Sequence, residues 1–434
     1  MKICVVGAGH VGLVTAACFS EMGHRVVCMD QDRKKLAGLR KGKVWFYEPG
    51  LEDLVVKNLK KKRLFFTDRV AEGVKQSEVI FIAVGTPPLP TGDADLTAVE
   101  QVVRQIAQVA DGYRLIVEKS TVPVETGRRI KQALEMMHRK KAPIEVASNP
   151  EFLREGSGVY DFFHPDRIVF GVESARARDL LEQLYKPFKA PILVTDIASA
   201  ELIKHASNAY LSMKISFINA VSVICDKVGA DVQNVARGIG YDTRIGPSFL
   251  RAGIGYGGFC FPKDLEAFIR IAEKLGYDFK LLKAVKQIND DQRRILIEKT
   301  THLLWNLKGK KIGLLGLSFK PDTDDLRFAP SLEIIAALRK GGAQVHAYDP
   351  QAMPEAKHLL GSEIHLAKDP YQLARDADCL ILVTEWKQFK ELDLVRIKKL
   401  MRQPVLVDGR NLYDPGKMAR LGFRYAAMGR GKEA

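Results

Sequence analysis

The chain has 434 residues, and at about 150 residues per domain that length excludes a single small module and predicts roughly three domains. With 46% hydrophobic and 27% charged residues it reads as a globular chain and not a disordered one, and its apolar runs fall short of the ~18 residues a membrane span needs. Lys and Arg outnumber Asp and Glu by 67 to 52, which predicts an anionic partner. The basic residues are scattered, however, and the densest cluster, KNLKKKR at 57–63, reads as a solvated face, so nucleic acid is disfavoured.

In chain order, the apolar run Ile3–Val6, the turn Gly7-Ala8-Gly9-His10-Val11-Gly12 and a helical pattern to Met22 are followed by a second run, Val26–Met29, closed by Asp30. This is the strand, glycine turn, helix and strand context of a dinucleotide fingerprint. Gly7 permits the turn, Gly9 admits a diphosphate to the helix N-terminus, and Gly12 allows helix and strand to approach. Asp30 is suited to the adenosine ribose, which selects NAD over NADP, although Arg33, Lys34 and Lys35 lie nearby. The glycines break the N-terminal apolar run, which argues against a signal peptide and predicts a cytoplasmic protein. The six cysteines have neither metal-ligand spacing nor disulfide density, so no metal is expected.

Strands at 79–88 and 115–127 end in Thr86 and in Ser120-Thr121, as ligand contacts or helix caps. From 198 to 229 one long helix is predicted from apolar positions such as Leu202, Ala206, Ala209, Met213, Phe217 and Val221, joining two domains and feeding a subunit interface. From 310 the opening pattern recurs: KKIGLLGLSFK parallels the first strand and turn, Asp349 takes the place of Asp30, and ADCLILVTEW parallels the strand at 79. The fold class is therefore α/β, with two Rossmann-like doubly wound domains joined by a long central helix and helical core. The expected boundaries are 1–197, 198–300 and 301–434, with ligands meeting in a cleft between the two nucleotide-binding domains.

The segment RIGPSFLRAGIGYGGFCFPKD (244–264) is too rich in glycine for a helix. Cys260, beside Lys263 and at a Gly-Gly turn, is the candidate nucleophile, and the other five cysteines read as buried and inert. Lys204 and Asn208 lie one turn apart on the long helix, where an ammonium and an amide can stabilise an oxyanion. From spacing alone the better reading of the pair is an exposed polar stripe.

Eight motifs in order, GAGHVG, VGTPP, STVP, NPEFLREG, ELIKHASNAYLSMKISFIN, RIGPSFL…GYGGFCFPKD, FKPDTDDLR and VLVDGRN, resemble the UDP-glucose/GDP-mannose dehydrogenase family along essentially the whole chain. The departures are Phe259 and Ala329, where a small residue and a serine are common. The resemblance implies oxidation of a sugar C6 alcohol to a carboxylate with two NAD⁺ and a Cys260 thiohemiacetal and thioester. It implies that Glu151, Asp264 and Thr121 serve the hydrolytic water. His10, Val11, Lys35, Thr86, Thr121, Glu155, Lys263 and Arg327 join Gly7, Gly9, Gly12 and Asp30 as cofactor contacts. Substrate contacts are implied at Glu151, Phe152, Leu153, Arg154, Glu155, Lys204, Asn208, Arg244, Phe249, Gly257, Cys260, Lys320 and Arg410, with Arg244 reaching a neighbouring subunit's site. UDP-glucose is the expected substrate and a homo-oligomer, at least a dimer, the expected assembly. The branches acting on GDP-mannose or UDP-N-acetylhexosamines, a two-electron NAD dehydrogenase without covalent catalysis, and a silent NAD-binding regulator are the alternatives.

Overall fold

A computed structural model describes residues 1–138 and 143–431. The chain divides into two compact units, Met1–Ser207 with Glu266–Tyr277, and Asn208–Leu265 with Asp278 onward.

The first unit is built on eight strands: β1 Lys2–Val6, β2 Arg25–Met29, β3 Leu64–Thr67, β4 Val79–Ile82, β5 Arg114–Glu118, β6 Ile144–Ser148, β7 Ile168–Gly171 and β8 Ile192–Thr195. Their order in the sheet is β3-β2-β1-β4-β5-β6-β7-β8. All neighbours run parallel except β6 and β7. The strands are apolar on both faces because helices cover both. Ile3, Val5 and Phe81 pack with Leu13 and Phe19 on one face. Cys4, Val6, Ile80 and Ile82 pack with Val103 and Ile106 on the other.

The second unit repeats the plan with β9 Lys311–Leu315, β10 Gln344–Tyr348, β11 His365–Leu366, β12 Cys379–Leu382, β13 Val405–Asp408 and β14 Arg424–Ala427. The order β11-β10-β9-β12-β13-β14 reproduces β3-β2-β1-β4-β5-β6, so the sequence repeat is a repeat of fold. The two acidic strand-end residues differ in their surroundings. Asp30 is partly exposed, whereas Asp349 is buried and accepts from the Leu317 and Ser318 N–H groups, the Ser318 hydroxyl and the Trp386 indole. A carboxylate so occupied holds its own turn together and has no room for a ribose.

The long helix spans Ile197–Val228, against a predicted 198–229, and passes from the first unit into the second after Ser207. Its faces are the reverse of a simple amphipathic reading. Glu201, Lys204, His205, Asn208, Ser212, Ser216, Asn219 and Ser222 are buried, while Leu202, Tyr210, Phe217, Ile224 and Val228 are exposed. By length and composition the helix could cross a membrane, but its polar row is buried within the protein, as in a core helix.

Candidate active site

In the fingerprint turn a Cβ on Gly12 would collide with the Gly7 carbonyl oxygen, so only glycine lets the helix His10–Glu21 start this close to β1. Gly9, the N-cap, brings no side chain, and the first turn holds no acidic residue. The Ala8 N–H donates to Asp30 Oδ2 at 2.8 Å, which locks the strand end to the turn. The Trp45 indole donates to the Ala8 carbonyl at 3.1 Å, Lys35 lies over its ring at 4.2 Å, and His10 packs against Phe46. A glycine-capped helix N-terminus beside a partly exposed carboxylate fits the diphosphate and ribose of NAD. Val11 is half-buried beside them.

The capping reading of Ser120 and Thr121 is corrected. The Ser120 hydroxyl donates to the Val84 carbonyl, and the Thr121 carbonyl accepts from the buried Thr86 hydroxyl at 2.9 Å. The helix that follows, Thr126–Met137, is instead held from the long helix. Glu201 accepts from the Glu125 and Gly127 N–H groups, each at 2.7 Å, and His205 Nε2 meets the Val122 carbonyl at 2.7 Å. Burial pushes the Glu201 carboxyl up to about 7, against the pull of its two N–H donors.

The exposed-stripe reading of Lys204 and Asn208 is corrected too, since both are buried. Lys204 Nζ donates to Glu151 Oε1 at 3.1 Å, both side chains about 5% exposed or less. Glu151 Oε2 accepts from the Leu153 N–H at 2.5 Å, which curls the loop after β6. Arg167 stacks on Phe152 at 3.7 Å, and Lys204 lies 5.5 Å from the same ring. Arg154 forks onto Asp161, and Glu155 is half-buried in the same loop.

In the second unit the glycine-rich loop ends at Cys260, the first residue of the helix Cys260–Lys274. Pro262 falls in its first turn, where no N–H is missed. The N-terminal position places the cysteine where helix N–H groups favour negative charge. Asp264 is buried, its Oδ2 accepting from Asn208 Nδ2 at 2.6 Å and its Oδ1 in an ion pair with Lys263 Nζ at 2.7 Å. Cys4, Cys18, Cys28, Cys225 and Cys379 are buried with raised thiol pKa values, Cys4 to about 12, and Cys260 alone of the six is partly exposed.

Gly257 lies against the Phe328 carbonyl, where any Cβ would clash. Phe259 provides the face on which Arg327 stacks at 4.3 Å, with the guanidinium also forked onto Asp325. Ala329 is the N-cap of Pro330–Lys340 and supplies no side-chain cap. Arg244 is exposed and forked onto Asp242, Phe249 has φ 65°, and Lys320 is partly exposed after β9. Arg410 donates to the carbonyls of Val383, Gly255 and Phe319 at 2.8, 2.9 and 3.2 Å and lies 3.3 Å from Glu385. It thus ties the glycine-rich loop to the ends of β9 and β12. Asp408 sets up that turn, accepting from the Arg410, Leu412 and Tyr413 N–H groups and the Tyr425 hydroxyl.

Sequence reasoning missed Lys119, Glu201 and His205. The first directly follows β5, a strand-end position that could have drawn notice. The other two share the helical face of Lys204 and Asn208.

Residues 1–189, 198–291 and 313–415 match the NAD binding, central and UDP binding domains of the UDP-glucose/GDP-mannose dehydrogenase family. The chain is 47% identical over 429 residues to the UDP-glucose 6-dehydrogenase TuaD of Bacillus subtilis, covering 99% of this chain and 93% of that one. It is 45% identical to the UDP-glucose 6-dehydrogenase of Rhizobium meliloti, covering 99% and 100%. A solved UDP-glucose dehydrogenase from Pyrobaculum islandicum superposes with a TM-score of 0.92 at 40% identity, covering 98% of this chain and 97% of that one. With all three domains matched in order, the chain belongs to the UDP-glucose/GDP-mannose dehydrogenase family.

Proposed function

We propose that the protein oxidises UDP-glucose to UDP-glucuronate as an NAD-dependent UDP-glucose 6-dehydrogenase. The observation that carries this reading is Cys260 at a helix N-terminus with Asp264 one turn on, in a chain 47% identical to a UDP-glucose 6-dehydrogenase along almost its whole length. NAD⁺, held at the turn of Gly7, Gly9 and Gly12, supplies the hydride acceptor for both oxidations.

The chain's own residues do the rest. Cys260 Sγ adds to the C6 aldehyde, forming a C–S bond as the carbonyl oxygen gains charge, and Lys204 and Asn208 are the donors for that oxyanion. Loss of hydride from the thiohemiacetal carbon leaves a thioester. Water, deprotonated at a carboxylate of Glu151 or Asp264 and positioned by Thr121, adds to it, and the C–S bond breaks to return the thiol and release a carboxylate. Phe152 to Glu155, Arg244, Phe249, Gly257, Lys320 and Arg410 form the UDP-sugar set, and Arg327 with Lys263, Glu155, Thr86, Lys35, His10, Val11 and Asp30 the cofactor set.

We assign the domains as 1–197, 198–300 and 301–434. A second copy covers the exposed stripe Leu202, Tyr210, Phe217, Ile224 and Val228, giving at least a dimer. Six free cysteines favour the cytoplasm. Cys260→Ser tests the chemistry: net turnover should vanish while NAD binding persists, and near-normal activity would remove covalent catalysis.

A further inference from the structure

The first unit buries a cation, Lys119, for which the reaction above has no use. Lys119, 4% exposed, directly follows β5. Its ammonium donates to Asn149, to Oδ1 at 3.1 Å and to the carbonyl at 3.4 Å. Asn149 directly follows β6 and is fixed on every side. Its N–H donates to the Glu118 carbonyl, its Nδ2 to the Val169 carbonyl at 2.9 Å, and its Oδ1 also accepts from the Tyr185 hydroxyl at 2.5 Å. Thr121 lies two residues beyond Lys119, and Glu151 two beyond Asn149. One buried contact therefore fixes the two strand-end loops that carry Thr121 and Glu151.

We propose that Lys119 is a positioning residue for thioester hydrolysis, holding the Thr121 and Glu151 loops in register through Asn149. The inference rests on the covalent reading of Cys260. Its support is that this contact is a poor choice for stability. Burial pulls the ammonium down to about 8, opposed by Glu151 and Glu118 and reinforced by Lys204, with the Tyr185 phenol facing the shared Asn149. A methionine of similar length would fill the same space without a buried charge. A costly cation kept beside named site residues marks a functional position.

Lys119→Met in the full-length protein tests this. Its kcat should fall tenfold or more with the KM for UDP-glucose within twofold and a melting temperature no lower than wild type. Intact-mass spectrometry during turnover should show the sugar-nucleotide adduct accumulating on the variant. In wild type, which needs no variant to fold, the hydrolysis rate constant should decline as pH rises through about 8. A kcat within twofold of wild type, a lowered melting temperature with parallel loss of both ligand affinities, or a hydrolysis rate that only rises with pH would overturn the assignment. Cys260→Ser run alongside separates the two claims. An inactive Cys260→Ser with a normal Lys119→Met contradicts Lys119 alone, whereas an active Cys260→Ser removes the covalent reading itself.

Discussion

Asn208 donates its side-chain amide to Asp264 across 2.6 Å, and Lys263 holds the other carboxylate oxygen at 2.7 Å. A buried carboxylate held by an amide donor and an ion pair is fixed in place, which is what a group that binds a nucleophilic water requires. Asn208→Ala should lower kcat ten- to a hundredfold, the effect of losing a charged hydrogen bond of about 1.5–3 kcal/mol. Steady-state kinetics checks this, and the KM for NAD should stay within twofold.

The pair Lys204 and Glu151 is buried on both sides. Removing one partner strands the other charge, so Lys204→Met and Glu151→Gln should each cost about 3–5 kcal/mol of folding stability. The double variant should lose clearly less than the sum. Chemical denaturation of the four proteins closes the cycle.

Glu201 gives a pH signature. Its carboxyl is raised from an ordinary 4.5 to about 7, so between those values the unfolded chain has released a proton that the folded chain retains. Stability from this group is complete below pH 4.5 and is lost as pH rises to 7, by about 3 kcal/mol at 1.36 kcal/mol per pH unit. Glu201→Gln should flatten that slope in denaturation series at pH 5 and pH 8.

The fold was legible because both halves announce themselves by apolar strands in a fixed rhythm, and the repeat from Lys311 reproduces the strand order of the first sheet. Cys260 stands out in the sequence by its glycines and neighbouring lysine, and in the structure it is the partly exposed cysteine. Less legible was the long helix, whose buried residues are largely polar and several of whose large apolar side chains face outward. Periodicity locates a helix but does not say which face is inside when the core is a hydrogen-bonded network. Lys119, Glu201 and His205 went unseen because what they do depends on carbonyls and amides far along the chain, which no local pattern encodes.

Arg410 was expected to meet the substrate, and the structure gives its N–H groups to three main-chain carbonyls. Arg410→Ala should therefore lower folding stability by about 3 kcal/mol or more, from carbonyls left without donors, together with weaker UDP-glucose binding. NAD affinity without substrate should barely change. Calorimetric titration with each ligand, beside a thermal melt, reads all three.

The stoichiometry of NADH tests the central claim most directly. Purified protein is given limiting UDP-glucose and excess NAD⁺, and NADH is counted at 340 nm against UDP-glucose consumed. Four-electron oxidation through Cys260 predicts two NADH per UDP-glucose with UDP-glucuronate as the only product. One NADH per UDP-glucose, with the aldehyde released, would contradict it.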